Sequence, residues 1–287
     1  MWTRVVSAGL LLLAAGGCGD ATGPDGGPAR LRDKIVFVSD RDGPPARLYV
    51  MNTDGTDPTL FVLHTGGTVT DPAVSPDGTQ IAFQHQSEIW VINADSTGQT
   101  NLTQALGFDA GPSWSPDGRR IAFASNRSGD YDIYVMDADG ANLVNLTDHT
   151  AQDASPAWSP DGTRIAFSTD RDGNPEIYLA APDGTGLVNL TRDQASDTSP
   201  AWSPDGNRLV FVSTRGTGNK LYLMDADGSN VSALPIPFNA SAPAWSPDGR
   251  RIAFDDGLDV YVINVDGSGL TNLTSAAGLD GQPSWSP

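Results

Sequence analysis

The sequence predicts an all-β protein, a six-bladed β-propeller of four-stranded antiparallel blades, on three observations. One segment of about forty residues recurs along the chain, each copy holds four strand-length pieces, and the two ends carry complementary fragments. The tetrapeptide Ser-Pro-Asp-Gly begins at Ser75, Ser115, Ser159, Ser203 and Ser246, and Ser286-Pro287 repeats its first half. Trp114, Trp158, Trp202, Trp245 and Trp285 precede the serine in five copies, and Val74 does so in the first.

Each copy divides alike, as residues 112–147 show (PSWSPDGRRIAFASNRSGDYDIYVMDADGANLVNLT). Strand A surrounds Trp114, B is Ile121 to Ala124, C is Ile133 to Met136 and D is Leu143 to Leu146; all are short and rich in β-branched or aromatic residues. Between A and B, Pro116 suits the first corner of a turn and Gly118 the left-handed position of a type I turn with a bulge. Asp139-Gly140 is a second hairpin signal, between C and D. Four strands on tight turns make a meander that cannot bury both faces alone, so blades stack round an axis.

The termini set the count. Ile35 to Ser39 matches B and Leu48 to Met51 matches C, with no A before them; Pro283 to Pro287 matches A, with no B after it. The C-terminal strand is therefore expected to complete blade 1 and close the ring, the alternative being a longer array cut within a blade.

Lys and Arg total 17 against 35 Asp and Glu, for a net charge of −18, and no basic run could meet a phosphate backbone, so nucleic acid is not expected as a partner. The 38% hydrophobic content allows a core, while 32 Gly and 21 Pro argue against a helical protein. Arg4 followed by the apolar run Val5 to Ala15 is too short to span a bilayer and reads as an export signal. Ala15-Gly16-Gly17-Cys18 resembles a bacterial lipobox, which implies lipidation of Cys18; a cleaved signal beside a chance cysteine is the alternative. Residues 1–17 are thus read as a lipoprotein signal peptide, 18–30 as a Gly- and Pro-rich flexible tether, and 31–287 as the propeller. Gly19-Asp20 after the cysteine favours the outer over the inner membrane, since retention at the inner membrane would place Asp directly after Cys18.

The series PAWSPDG, RIAF, DIY, DADG and NLT, over about residues 33–287, resembles the propeller repeats of the TolB family of bacterial periplasmic proteins. That family carries an α/β domain before its propeller, where this sequence shows only a signal and tether. The resemblance implies a noncatalytic, monomeric envelope scaffold that receives a protein or peptide at its channel mouth. A carbohydrate-active propeller, either glycan binder or metal-dependent lyase, is the alternative.

The A–B and C–D turns fall at one end of each blade and the variable B–C and D–A loops at the other, where binding is expected. There an aspartate recurs five residues before the tryptophan, at Asp109, Asp153, Asp197 and Asp280, with Val69 and Ala240 interrupting the set. Two readings stand. Converging carboxylates attract a cation, Ca²⁺ or a basic side chain of a partner, or each Asp bonds its own loop backbone. Arg41, Arg127, Arg171 and Arg215 in the B–C loops are read as surface partners of acids between blades, with anion binding as the alternative. The tryptophans are assigned to packing between blades, an exposed platform for sugars being the rival reading. Trp90 stands where strand C has Tyr, and His64, His85 and His149 share no spacing. Catalytic residues are not identified and no cofactor is required: there is no nucleophile elbow, and Asp137-Ala-Asp-Gly lacks the spacing of an EF-hand.

Overall fold

Aliphatic and aromatic residues dominate strands B and C of every repeat, and these strands are largely buried on both faces because each blade lies between two others. In blade 3, for example, B (Arg120–Ser125) is buried at every residue except its first and C (Asp132–Asp137) at every residue except its last. The computed structural model describes residues 27–61, 66–104 and 107–287. Among these, 24 strands form six four-stranded antiparallel sheets. Each blade contributes one fully buried phenylalanine, Phe37, Phe83, Phe123, Phe167, Phe211 or Phe254. No helix among the described residues is long and apolar enough to cross a membrane.

Blade 3 runs from strand A (Asp109–Trp114) at the axis to D (Val144–Asn145) at the rim. Strand D has two residues rather than the four the sequence suggests, and Leu143 and Val144 stay exposed. A short outer strand gives other chains little edge to pair with.

The Ser-Pro-Asp-Gly turn forms as its residues require. Gly118 has φ 68° and donates to the Ser115 carbonyl, while the Asp117 carboxylate accepts from the Ser115 hydroxyl and the Arg119 amide. The same serine hydroxyl bond, first among the causes, holds Asp117, Asp161, Asp205 and Asp248 below the ordinary aspartate range. In the C–D turn Gly140 has φ 88°, and a Cβ there would meet the Leu102 carbonyl of blade 2 at 2.8 Å. Glycine thus serves both the turn and the seating of one blade on the next.

The tryptophans join the blades. The indole N–H of Trp114 donates to the Ala73 carbonyl at 3.0 Å, Trp202 to Ala157 at 3.2 Å, Trp245 to Ala201 at 3.1 Å and Trp285 to Ala244 at 3.1 Å, each acceptor on the preceding blade.

The ring closes as the unmatched ends predict. Strand Asp280–Trp285 pairs with Lys34–Ser39, setting Ile35 opposite Trp285 and Ser39 opposite Asp280, and the Lys34 and Ser286 backbones add further bonds. Leu31 already donates to the Gly78 carbonyl. Residues 1–26, on which the signal-peptide reading, the lipidation of Cys18 and most of the tether reading fall, lie outside the described residues.

Candidate binding site at the channel mouth

Four of the six blades hold the same charged cluster at the variable-loop end. Asp109, Asp153, Asp197 and Asp280 begin strand A with side chains no more than 2% exposed, and each meets an arginine. Arg127 pairs with Asp109 at 2.7 Å, Arg171 with Asp153 at 3.2 Å, Arg215 with Asp197 at 2.7 Å and Arg41 with Asp280 at 2.9 Å. Burial raises the Asp153 and Asp197 carboxyls above the ordinary range despite the nearby hydroxyls and guanidinium.

The arginines differ from their expected place. Each pairs inside its own blade and is only 12–15% exposed; Arg215 adds a second pair, at 3.5 Å, with Asp193 on the segment that joins blades 4 and 5. The reason is the local sandwich: Arg127 lies 5.4 Å from the Phe123 ring centroid and 5.1 Å from that of Tyr134, and Arg41 lies 5.0 Å from both Phe37 and Tyr49. A weakly hydrated planar guanidinium suits such a slot. The cation beside each carboxylate is therefore supplied by the chain itself.

Blades 2 and 6 fill the slot differently. In blade 2, Val69 replaces the aspartate, and His85, buried, bonds the Thr68 carbonyl and meets Trp90 edge-on at 5.6 Å. In blade 6, Phe238 packs on Phe254 and Tyr261, while Asp255 accepts from Ser241 and from the Gln282 amide. His149 receives the Ala151 amide on Nδ1, and His64 lies outside the described residues. Among the described residues no three His, Cys, Asp or Glu side chains are grouped to hold a metal ion.

Nearer the axis every strand A carries a bulge. Its residue takes a left-handed conformation, at Asp71, Gly111, Ser155, Ser199, Ala242 and Gln282 with φ between 46° and 61°, and a proline follows each. Proline cannot donate to a ladder and fits a bulge; the five non-glycine residues there hold strain of roughly 1 kcal/mol or more each. These twelve residues line an axial cavity of about 180 Å³.

The mouth is lopsided. On one side Gln282 donates to the Asp71 carboxylate at 2.8 Å and accepts the Asp71 amide at 2.9 Å, bridging blades 1 and 2. Burial raises the Asp71 carboxyl, opposed by bonds that include the Gly111 amide. On the other side stand the small residues Gly111, Ser155, Ser199 and Ala242 and the prolines that follow them. Asp71 was not among the residues singled out from the sequence, although a proline inside a strand pattern marks its position.

Comparison with known proteins agrees with this geometry. The model of the TolB beta propeller domain matches residues 60–154 and 145–239. The solved structure of TolB from Acinetobacter baumannii is 25% identical, with a TM-score of 0.79 over 91% of this chain and 68% of that one. An oligogalacturonate lyase in complex with manganese, 18% identical, shares the fold with a TM-score of 0.62 over 83% of this chain and 73% of that one. Shorter matches reach an uncharacterized peptidase of Bacillus subtilis, 37% identical over 22% of this chain, and a TolB homolog of Chlorobium luteolum, 35% identical over 21%. These matches span 11% and 14% of those proteins' own lengths.

Proposed function

The chain belongs to the TolB beta propeller domain family, and on that premise we propose that it is a noncatalytic scaffold that binds a protein or peptide at the channel mouth. The observation that carries this reading is the lopsided axial cavity. At about 180 Å³ it admits a side chain or chain end rather than a drug-sized ligand. It has one carboxylate, Asp71, bonded to Gln282, on a wall otherwise made of prolines and small residues. With a net charge of −18, the protein steers basic segments toward itself, so the entering residue is a lysine or arginine. The prolines that follow the six bulges fix φ around the rim, and a preformed site loses less entropy on binding.

The test is a pulldown from envelope extract with the soluble propeller. A specific band should be retained by wild type, weaken about tenfold or more with Asp71→Asn, and vanish with Ser155→Trp, which fills the cavity. A band unaffected by Ser155→Trp would place the partner elsewhere.

The same reading includes export and a lipid anchor on Cys18, facing the periplasm from the outer membrane. Cells expressing the full chain should incorporate labelled palmitate into it, and Cys18→Ser should abolish the label and release the protein in soluble form. Unchanged labelling would remove Cys18 as the anchor.

A further inference from the structure

Three blade junctions cover their tryptophan with an arginine from the start of strand B. Arg120 lies 4.7 Å from the Trp158 ring centroid, Arg208 5.3 Å from Trp245 and Arg251 5.0 Å from Trp285. The junction of blades 4 and 5 departs from them. Arg164 holds the same repeat position, yet it is exposed, and no ion pair, side-chain hydrogen bond or ring contact engages its guanidinium among the described residues. Trp202 is correspondingly half-buried, whereas Trp114, Trp158, Trp245 and Trp285 are buried.

Register gives a reason. Arg120 faces Asp137, Arg208 faces Asp225 and Arg251 faces Asn264 across the B–C ladder. Ile165 faces Ala180, so the position opposite Arg164 falls to Ala181, which offers neither charge nor amide. A cleft of about 690 Å³ opens there, against about 250 Å³ where Gln80 stands beside Trp114.

We propose that this cleft, on the face opposite the channel mouth, binds a neutral saccharide with a pyranose ring lying on the open face of Trp202. A pyranose has a flat C–H face and a rim of hydroxyls that both donate and accept. The electron-rich indole face attracts C–H groups, and Trp202 is fixed in orientation because its N–H is already given to Ala157. Arg164 supplies donors in a planar fork. Asp161 and Asp205, held ionised first by the Ser159 and Ser203 hydroxyls, supply acceptors, and Asn207, whose amide N–H is given to Asp205 at 3.0 Å, adds its side-chain carbonyl oxygen. The three carboxylates of Asp161, Asp205 and Asp227 disfavour an acidic sugar. The volume falls within the range of small-ligand sites.

Titration with maltotriose, cellotriose and chitotriose, followed by tryptophan emission, tests this. At least one sugar should give a saturable change, and Trp202→Leu should abolish it. Because that substitution also removes packing, Ala181→Asp serves as the second variant. It places a carboxylate opposite Arg164, as Asp137 and Asp225 stand opposite Arg120 and Arg208 across the ladder, should draw Arg164 over Trp202, and should weaken binding about tenfold or more with no loss of melting temperature. No response to any of the three sugars, a response that survives Trp202→Leu, or saturation by trilysine instead would each overturn the assignment.

Discussion

A chain lacking residues 280–287 is expected to lose its cooperative unfolding transition and to associate. The segment supplies the innermost strand of blade 1, and three costs coincide when it goes. Trp285, buried at the junction with blade 6, is a packing loss of about 3–5 kcal/mol by itself. Asp280 leaves Arg41 buried between Phe37 and Tyr49 without its counter-ion. Strand Lys34–Ser39 becomes an open edge, ready to pair with another copy. Together these rival the whole stability of an ordinary domain, about 5–15 kcal/mol.

Thermal unfolding by circular dichroism should show no sharp transition, and size-exclusion chromatography should show oligomers. Trp285→Ala alone should keep the fold and lower the melting temperature by roughly 10 °C, since 1 kcal/mol corresponds to about 2–4 °C at this chain length. A synthetic peptide of residues 280–287 added in trans should restore the transition. Cooperative, monomeric unfolding of the truncated chain would show that the closing strand is dispensable.

The closure was legible because an orphan A strand and a missing one are a statement about sequence register, independent of packing detail. Strand limits were less so: the outer strand is pared from Leu143–Leu146 to Val144–Asn145 because nothing packs outside it. For the candidate site, the sequence displayed the aspartates and the arginines as two separate series. Their link was present in the pattern: both series occupy the same four blades, and both are absent where Val69 and Ala240 stand. What no pattern shows is the aromatic slot between Phe123 and Tyr134 that draws the guanidinium inward. Nor does it show that Phe238, from a variable loop, fills that slot in blade 6. The open cleft at Trp202 accompanies Ala181, which stands where other blades have Asp or Asn and becomes comparable with them only once strand C is aligned against strand B.

The charged clusters give the second large effect. Arg171→Ala should destabilise the protein by about 3–5 kcal/mol at neutral pH, because it strands the Asp153 carboxylate in a buried site. Burial already raises that carboxyl, and losing the guanidinium raises it further. A folded-state value above the unfolded one means the destabilisation is full above the folded value. It is relieved as pH falls through that value toward the ordinary aspartate range near about 3.9. Urea titrations at a series of pH values should therefore show the variant converging on wild type in acid. Adding Asp153→Asn to Arg171→Ala should recover much of the loss at neutral pH and flatten the pH dependence.

Removing both charges for apolar groups, Arg171→Met with Asp153→Val, should bring stability to within about 1 kcal/mol of wild type, because a pair this buried offsets its own desolvation only narrowly. Blade 2, which carries Val69 at the aspartate position, shows that the fold accepts the exchange. A double variant as unstable as Arg171→Ala would mean that the guanidinium acts through its stacking on Phe167 and Tyr178 rather than through its charge.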